Sequence, residues 1–434
     1  MKTHHSNQVA MWKGLKLIKT NGITLRDYQI DIAYEAAYKL SSLRICYLAM
    51  QMRTGKTLTA LACASVIYKR NSNVLFVTKK KAISSIESDA KLLVHEFDLT
   101  IINYESLHKI PRKQYDLVIC DEAHGIGAFP KPSERYSQLK MIMGANTSLL
   151  LLSGTPSPES YSQLFHQFKL SSYSPFHATN NFYAFAKEFV NVKKKRINAT
   201  VEVNDYSDCN WKQLEPVLDK YFIRYNQKSA GFINEISEEV IEVEMKPITY
   251  HIAATLKRDK IYEGKNDVIL ADTPVKMLNK LHQIFSGSVI LESEKSVFLD
   301  DSKIVYIQEN YEGEHIAIFY KFQAEGEQLK KSFKNWTDDP AEFNADDSKI
   351  FIAQVQSVKE GVNLSSADTI IFYNIDFSSS TYQQARERAS HKDRVKENNV
   401  VFLVARGGVE RSIYEVVQKK QDYSLIHYEK IFGK

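Results

Sequence analysis

The chain has 434 residues, of which 44% are hydrophobic and 25% are charged, and its formal net charge is +5. This length predicts two or three domains with cores of their own, and the near-average composition excludes a disordered chain. No apolar run approaches the roughly 20 residues that cross a bilayer, and the start MKTHHSNQVAMWKG lacks the apolar core of a secretory signal. We therefore expect a cytoplasmic protein without a membrane partner. Four widely spaced cysteines form no C-x-x-C pair, which argues against a zinc or disulfide framework.

Five short apolar or β-branched runs alternate with helical patterns between residues 25 and 154. This rhythm predicts strands of a mostly parallel sheet with helical crossovers. Each run ends in polar or small residues, and such strand ends are where doubly wound sheets bind ligands. The runs occupy residues 44–50, 73–78, 99–104, 116–122 and 148–155.

The strand rhythm returns in the last third of the chain, after a stretch rich in aromatic and charged residues. In that stretch FYAFAKEFV predicts a helix, and a basic cluster occupies residues 193–196. The later runs occupy residues 315–322, 349–355, 368–375 and 398–405. We predict an α/β fold of two parallel-sheet lobes with a partly helical connector. The predicted boundaries are 1–160 for the first lobe, 161–300 for a mainly helical insertion and connector, and 301–434 for the second lobe.

The junction of the first strand run with the next helix carries Thr54-Gly55-Lys56-Thr57. Backbone N–H groups at a helix start favour a phosphate, a lysine reaches the β and γ oxygens, and a threonine hydroxyl can bind Mg²⁺. Met50 occupies the position of the first glycine in G-x-x-x-x-G-K-[ST], so the full pattern is not met. A helix start that carries a lysine by chance is the alternative.

The fourth strand run, DLVICDE, ends at Asp121 and Glu122. Two adjacent carboxylates that emerge from an apolar strand are costly unless they meet a cation or hydrogen-bond donors. We expect Asp121 to bind Mg²⁺ and Glu122 to orient and deprotonate the water that attacks the γ-phosphate of ATP. The alternative, a polar end to a strand, does not account for Lys56 upstream.

The order of these motifs resembles the superfamily two helicases and translocases, and within them the Swi/Snf-type DNA translocases with their short viral relatives. The resemblance covers roughly residues 24–394 and implies two RecA-like lobes with an ATP cleft between them. Six segments of the first lobe carry it. They are Leu25–Gln29, similar to an adenine-sensing segment; Met52–Thr57, motif I; Leu75–Lys79, motif Ia; Asn103–Leu107, the strand-end segment that follows motif Ia; Asp121–His124, motif II in the form of a DEAH box; and Ser153–Pro156, motif III.

In the second lobe, residues 356–364 are similar to motif V and residues 384–388 to motif VI. The family places a second arginine three residues after the first, where this chain has His391. A cross-cleft arginine contributes about 10³ to 10⁵ in rate to phosphoryl transfer. His391 could act as a weaker donor, Arg394 could substitute, or Arg388 could act alone. We favour Arg388 assisted by Arg394, because a neutral imidazole cannot match a guanidinium.

The resemblance implies ATP and Mg²⁺ as cofactors and assigns roles to individual residues. The catalytic residues are Lys56, Asp121, Glu122 and Arg388, and Thr57 and Asp121 hold the metal. ATP is bound by Arg26, Gln29, Arg53, Thr54, Gly55, Lys56, Thr57, Gly361, Gln384, Arg388 and Arg394. His124, Ser153 and Thr155 couple the nucleotide site to the track, and Lys79, Asn103, Tyr104 and Asn363 contact nucleic acid.

Double-stranded DNA is the partner that the resemblance favours, with RNA and single-stranded DNA as alternatives. It implies a DNA-stimulated ATPase that translocates on the duplex, remodels or displaces bound molecules, and unwinds weakly or not at all. If the chain is viral, the host cytoplasm is its location. Two other functions stay open: an RNA helicase, and a nucleotide-gated nucleic-acid-binding protein with residual ATPase activity. Protein partners are not indicated.

Overall fold

The protein, a computed structural model, divides into two compact units, Met1–Gly231 and Phe232–Lys434. Each unit is an α/β structure built around its own six-stranded sheet. Within the described residues, no helix is both long and apolar enough to cross a membrane. The structure describes residues 18–51, 53–111, 113–196, 202–226, 229–230, 236–264, 267–357, 364, 366–386 and 398–419.

The sheet of the first unit is entirely parallel, with the strand order β3-β2-β4-β5-β1-β8. Its central strands are apolar on both faces, as expected for a parallel sheet covered by helices. Ile45 and Tyr47 face one core and Cys46 and Leu48 face the other. The strands are β1 (Ile45–Met50), β2 (Asn73–Thr78), β3 (Asp98–Asn103), β4 (Leu117–Cys120), β5 (Ser148–Leu152) and β8 (Phe222–Tyr225).

Helices α1 to α7 cover this sheet. The first two pack closely, because small residues line their contact: alanines 33, 36 and 37 on the first helix and Ala60, Cys63 and Ala64 on the second are all buried in the same core. A separate antiparallel hairpin, β6 (Lys193–Arg196) with β7 (Glu202–Asp205), follows the sixth helix. The helices are α1 (Asp27–Leu43), α2 (Lys56–Ile67), α3 (Ile83–Lys91), α4 (Glu134–Ile142), α5 (Leu164–Lys169), α6 (Phe182–Phe189) and α7 (Trp211–Leu218).

The sheet of the second unit is also entirely parallel, with the order β15-β16-β14-β17-β18-β9. Two antiparallel hairpins, β10 (Ile261–Glu263) with β11 (Val268–Leu270) and β12 (Ser288–Ile290) with β13 (Ser296–Phe298), lie outside it. The strands of the sheet are β9 (Ile236–Val243), β14 (Ile316–Tyr320), β15 (Trp336–Thr337), β16 (Ile350–Gln354), β17 (Thr369–Phe372) and β18 (Asn398–Ala405).

Among the described residues, seven helices accompany the second sheet, and several helices of both units begin at a residue suited to cap them. A side-chain oxygen of the capping residue accepts a backbone N–H of the first turn, as at Thr273 and Asp339, each followed by a proline. Ser133 and Asn181 do the same in the first unit. The helices are α8 (Pro247–Asp259), α9 (Pro274–Phe285), α10 (Ser302–Asn310), α11 (Gln323–Ser332), α12 (Pro340–Ala345), α13 (Ser379–Arg386) and α14 (Glu410–Gln418).

All nine predicted strand runs contain a strand, and FYAFAKEFV forms α6. The unit boundaries, however, differ from the predicted ones. The stretch predicted as a connector, 161–300, is divided between the two units near residue 231. The reason is hydrogen bonding, because β8 pairs with β1 of the first sheet and β9 pairs with β18 of the second.

Candidate nucleotide site and motor motifs

The loop between β1 and α2 turns sharply before presenting Lys56 and Thr57 in the first helical turn. Gly55, the residue before the helix, has φ = 78°, a conformation that glycine adopts without a steric penalty. Thr54 is buried, and its hydroxyl donates to the carbonyl of Gln51 at 2.6 Å. The loop is thus fixed from within, and the N–H groups that begin α2 are available for a phosphate.

Residues at the start of α1 pack against this loop. The Gln29 carboxamide accepts the backbone N–H of Arg26 at 3.0 Å and donates to the carbonyl of Gly55 at 3.4 Å. The hydroxyl of Tyr28 donates to the carbonyl of Thr54 at 3.2 Å. The predicted adenine-sensing segment and motif I therefore lie in direct contact.

The Tyr28 ring also stacks on Tyr225, with ring centroids 4.6 Å apart. Tyr225 is the last residue of β8, and its carbonyl accepts the backbone N–H of Gln51 at 2.9 Å. The final strand of the first unit therefore supports the phosphate loop from the side opposite β5. This contribution is not evident from the motifs, because Tyr225 lies more than 160 residues after the loop.

Asp121 follows β4 directly, and neighbouring parts of the sheet hold it in place. Its Oδ2 accepts the hydroxyl of Thr78 at 2.8 Å, and its backbone N–H donates to the carbonyl of Val77 at 2.8 Å. Its own carbonyl accepts the hydroxyl of Tyr104 at 2.6 Å. Thr78 was not predicted as a site residue, although its position at the end of a predicted strand could have indicated it.

The electrostatics of Asp121 suit a divalent cation. Burial, and next the charge of Glu122, raises the pKa of Asp121 to about 6, while the Lys56 ammonium lowers it. A cation would stabilise this buried carboxylate, and a threonine hydroxyl with a carboxylate is an oxygen donor set that Mg²⁺ accepts. Across the part of the chain described, no cluster of three or more His, Cys, Asp or Glu residues could hold a metal. Thr57 and Asp121 are the residues that would hold Mg²⁺, which would offset the charge of a bound phosphate.

A chain of short contacts links motif II to motif III. Glu122 has φ = 48°, and its Oε2 lies 3.3 Å from Nδ1 of His124. The same nitrogen lies 3.0 Å from the hydroxyl oxygen of Ser153, which accepts the backbone N–H of Thr155 at 3.1 Å. Burial lowers the pKa of His124, which favours the neutral ring. The three predicted coupling residues are therefore in contact with one another and with Glu122, and their coupling role stays a prediction.

Two residues predicted to contact nucleic acid, Tyr104 and Asn103, are almost fully buried. Tyr104 is 1% exposed, and its hydroxyl is engaged by the carbonyl of Asp121. Asn103 is 7% exposed and donates to Glu105 at 3.2 Å. We correct the prediction for Tyr104: its ring lies under the Arg135 guanidinium, and it supports motif II. Lys79, which follows β2, is partly exposed and stays a candidate contact.

The basic cluster at residues 193–196 forms strand β6, and acidic residues lie opposite it on β7. Lys193 is paired in register with Asp205, and Arg196 with Glu202. The ammonium of Lys193 also lies 2.7 Å from the carboxylate of Asp208. The pairing with Asp208 therefore offsets the charge of Lys193, the first residue of the cluster.

In the second unit, three strand ends meet at Asp376. Its carboxylate accepts a hydrogen bond from the ammonium of Lys321 at 3.0 Å. It accepts a second one, at 3.1 Å, from the carboxamide of Gln356, the first residue of motif V. Gln384 belongs to α13, but its side chain is not described. Five further predicted residues lie outside the described residues. They are Gly361, Asn363, Arg388, His391 and Arg394.

Comparison with known proteins supports the resemblance that the motifs carry. Residues 275–392, which include motifs V and VI, match the model of the helicase conserved C-terminal domain. Human chromodomain-helicase-DNA-binding protein 1 is 22% identical over 493 residues, covering 95% of this chain and 27% of the human protein. The domain match and this relative support the predicted resemblance to the Swi/Snf-type superfamily two helicases and translocases. They likewise support the predicted class of nucleic-acid-dependent ATPases.

Other Swi/Snf-type relatives match the chain over different lengths. The CHD3-type chromatin-remodeling factor CHR7 of Arabidopsis thaliana is 22% identical over 92% of this chain and 37% of its own length. Human chromatin-remodeling ATPase INO80 is 33% identical over 18% of this chain and 5% of its own length. The Sulfolobus solfataricus SWI2/SNF2 ATPase core in complex with dsDNA has a TM-score of 0.42 and 17% identity, covering 92% of this chain and 91% of that chain.

The chain thus spans little more than a third, or less, of the curated relatives. One predicted label needs correction. Residues 121–124 read Asp-Glu-Ala-His, but Swi/Snf-type proteins use a DExx motif, so the sequence of these four residues does not make the chain a DEAH-box helicase.

Proposed function

We propose that the chain is an ATP-dependent translocase on double-stranded DNA, with an ATPase that DNA stimulates. One observation carries this proposal: Asp121 at the end of β4, with Glu122 beside it, lies within the electrostatic reach of Lys56 at the start of a helix suited to bind phosphate. A lysine, a cation-binding carboxylate and a second carboxylate are the groups that ATP hydrolysis requires.

The site residues of the first unit would have distinct roles in ATP hydrolysis. The N–H groups that begin α2 and the Lys56 ammonium would bind the phosphates, and Thr57 and Asp121 would hold Mg²⁺, which offsets phosphate charge. Glu122 would orient the attacking water and accept its proton. Arg388, from motif VI of the second unit, would stabilise the charge that develops on the γ-phosphate, assisted by Arg394.

Duplex DNA is the track we propose. The printed name of human chromodomain-helicase-DNA-binding protein 1 refers to DNA, and the CHR7 and INO80 relatives are named as chromatin-remodeling proteins. The chain's net charge of +5 is compatible with a polyanion. We further propose that it displaces bound molecules with weak or no strand separation, as the family resemblance implies.

ATP turnover with a panel of nucleic acids tests the substrate. We expect stimulation by duplex DNA above that by single-stranded DNA or RNA, and loss of turnover in Glu122→Gln with ATP binding retained. Stimulation by RNA alone would favour an RNA helicase. Nucleic-acid binding that depends on ATP, with turnover at background in saturating DNA, would favour the nucleotide-gated binding protein.

Displacement of a third strand from a triplex tests translocation apart from unwinding. We expect ATP-dependent displacement of the third strand without separation of the underlying duplex, and no displacement by Glu122→Gln. Efficient duplex unwinding without triplex displacement would contradict this part of the proposal.

A further inference from the structure

Glu238 has a position in the second unit that no motif covers. It lies on β9, which forms the edge of the sheet beside β18 and is the first described strand of that unit. Its side chain is 11% exposed, although it carries a charge. A carboxylate so far removed from water needs strong donors to offset its lost hydration.

Three donors from two helices meet this carboxylate. Oε2 accepts the hydroxyl of Tyr382 at 2.7 Å and that of Tyr414 at 3.0 Å. Oε1 forms an ion pair with the guanidinium of Arg386. Tyr382 and Arg386 are four residues apart on α13 and so share one face of that helix, while Tyr414 lies on α14. One carboxylate therefore ties both helices to β9.

The helix that Glu238 holds is the one that carries motif VI. Its described residues include Gln384 and Arg386, and Arg388 follows two residues later in the sequence of motif VI. Tyr382 is only 4% exposed, so its hydroxyl has little water as an alternative partner. Loss of the carboxylate would leave that hydroxyl and the Arg386 guanidinium without their charged acceptor, and the end of α13 would be free to shift.

We propose that Glu238 is a positioning residue for motif VI: it fixes the end of α13 and thereby the place from which Arg388 acts on ATP. Glu238 touches neither ATP nor nucleic acid in this role. The inference rests on the proposed function, because it assumes that Arg388 takes part in hydrolysis. A group that acts only on the transition state changes kcat more than KM, and a displacement of about 1 Å can cost on the order of 100-fold in rate.

The chain offers a matched control on the same strand. Glu242 lies four residues after Glu238 on β9 and so faces the same side of the sheet. Its carboxylate accepts a hydrogen bond from the guanidinium of Arg411 at 2.5 Å. That pair is about half exposed and does not include α13. Glu242→Gln therefore changes the charge of β9 by the same amount without touching the motif VI helix.

The test is steady-state ATP hydrolysis with saturating duplex DNA by Glu238→Gln, Glu238→Ala and Glu242→Gln. We expect Glu238→Ala to lower kcat by about tenfold to 100-fold, with KM for ATP within about threefold of wild type. Glu238→Gln keeps an oxygen for the tyrosine hydroxyls and should retain more of kcat, and Glu242→Gln should match wild type. Tyr382→Phe, which removes one donor with little change in volume, should give a smaller loss in the same direction.

A second step separates this inference from the proposed function. If Glu238 acts through Arg388, then Glu238→Ala in an Arg388→Ala background lowers kcat no further. Wild-type turnover in Arg388→Ala would overturn the proposed role of motif VI. If Arg388→Ala loses turnover and Glu238→Ala keeps it, the inference about Glu238 alone is wrong. It is also wrong if the fold-losses of kcat in Glu238→Ala and Arg388→Ala multiply in the double variant. A loss of kcat in Glu242→Gln as large as that in Glu238→Gln would contradict it too.

Discussion

Asp121 and Glu122 are adjacent but have different environments. Asp121 is enclosed by Thr78 and by the backbone of β2, whereas Glu122 adopts a left-handed backbone conformation that directs the chain toward His124. The backbone at Glu122 is unusual for a residue with a side chain and costs about 1 kcal/mol. Strain of this size is typical of functional sites, and here it turns the chain after Asp121 so that Glu122 and His124 lie in contact.

The raised pKa of Asp121 predicts a gain in stability for Asp121→Asn. The folded-state pKa of about 6 exceeds the ordinary 3.8, so this group stabilises the fold below about pH 4 and loses that contribution as pH rises through 6. At pH 7 without Mg²⁺ the variant should be more stable by up to about 3 kcal/mol, while ATP turnover is lost. Urea unfolding in a chelator at pH 7 and pH 4 measures this. A variant less stable than wild type at pH 7 would contradict the burial argument.

Gly55 predicts a test of the contact between the adenine-sensing segment and motif I. A Cβ at Gly55 would lie 2.2 Å from Nε2 of Gln29, so Gly55→Ala must displace that side chain. We expect ATP affinity to fall by about tenfold or more, measured with a fluorescent ATP analogue. Gly22→Ala is the matched control, because Gly22 has a similar φ of 72° but no atom within 4 Å of the added Cβ. Equal losses in the two variants would show that backbone strain alone is responsible.

At the scale of elements, the contacts from Glu122 to Thr155 join the ends of β4 and β5. Ser153→Ala removes the hydroxyl that His124 and the Thr155 N–H share. We expect basal ATP turnover to stay within about twofold of wild type while its stimulation by duplex DNA falls several-fold, since only the link to motif III is broken. Ser148→Ala, at the other end of β5, should leave both values unchanged. A loss of basal turnover alone would argue against a coupling role.

Local sequence patterns predicted the strands that lie at the centre of each sheet. Central parallel strands are apolar on both faces, so β1, β2, β14 and β18 are visible as continuous runs. The edge strands β8, β9 and β15 were not predicted as strands, because one side of an edge strand is open and its residues alternate or are few. Because β8 and β9 were not predicted, neither predicted boundary falls near residue 231, where the two units divide.

The residues of the predicted chemical centre are visible in the sequence for a related reason, whereas the residues that support them are not. Asp121 and Glu122 stand directly after an apolar strand, and Lys56 follows another after a short loop, so their positions draw attention to them. Thr78, Tyr225 and Glu238 act through contacts with residues between 43 and about 200 positions away, which a single sequence does not encode locally. Tyr104 is the opposite case: its segment resembles one that contacts nucleic acid, but its side chain is buried and hydrogen-bonds the backbone of Asp121.

At the scale of the whole molecule, buried histidines in both units predict a common response to acid. Burial lowers the pKa of His124 and His166 in the first unit, and of His282 in the second. A lowered folded-state pKa means that the unfolded chain binds more protons, so stability is present above pH 6.5 and is lost as pH falls below it. We expect unfolding free energy to fall by up to about 1.4 kcal/mol per pH unit for each histidine between pH 6.5 and 5.

Urea unfolding of wild type and His282→Gln at pH 7.5 and pH 5.5 measures this response. Gln can still donate to the Asn374 oxygen that His282 contacts at 2.6 Å, so the variant should show a smaller pH dependence in the transition of the second unit. The same pH dependence in both proteins would exclude His282 as a contributor.

The pairing of β8 with β1 has a consequence for cutting the molecule into pieces. A fragment that stops at residue 160 contains motifs I to III but lacks β8, so β1 would become an open edge next to the phosphate loop. Such an edge invites pairing between copies, and Tyr28 would lose the ring on which it stacks. A fragment that continues through Asn226 keeps the strand, the ring and the Gln51 hydrogen bond together. The C-terminal strand of the first unit thus supports the loop between β1 and α2. A fragment designed to end after motif III would therefore lack part of the structure that this loop needs.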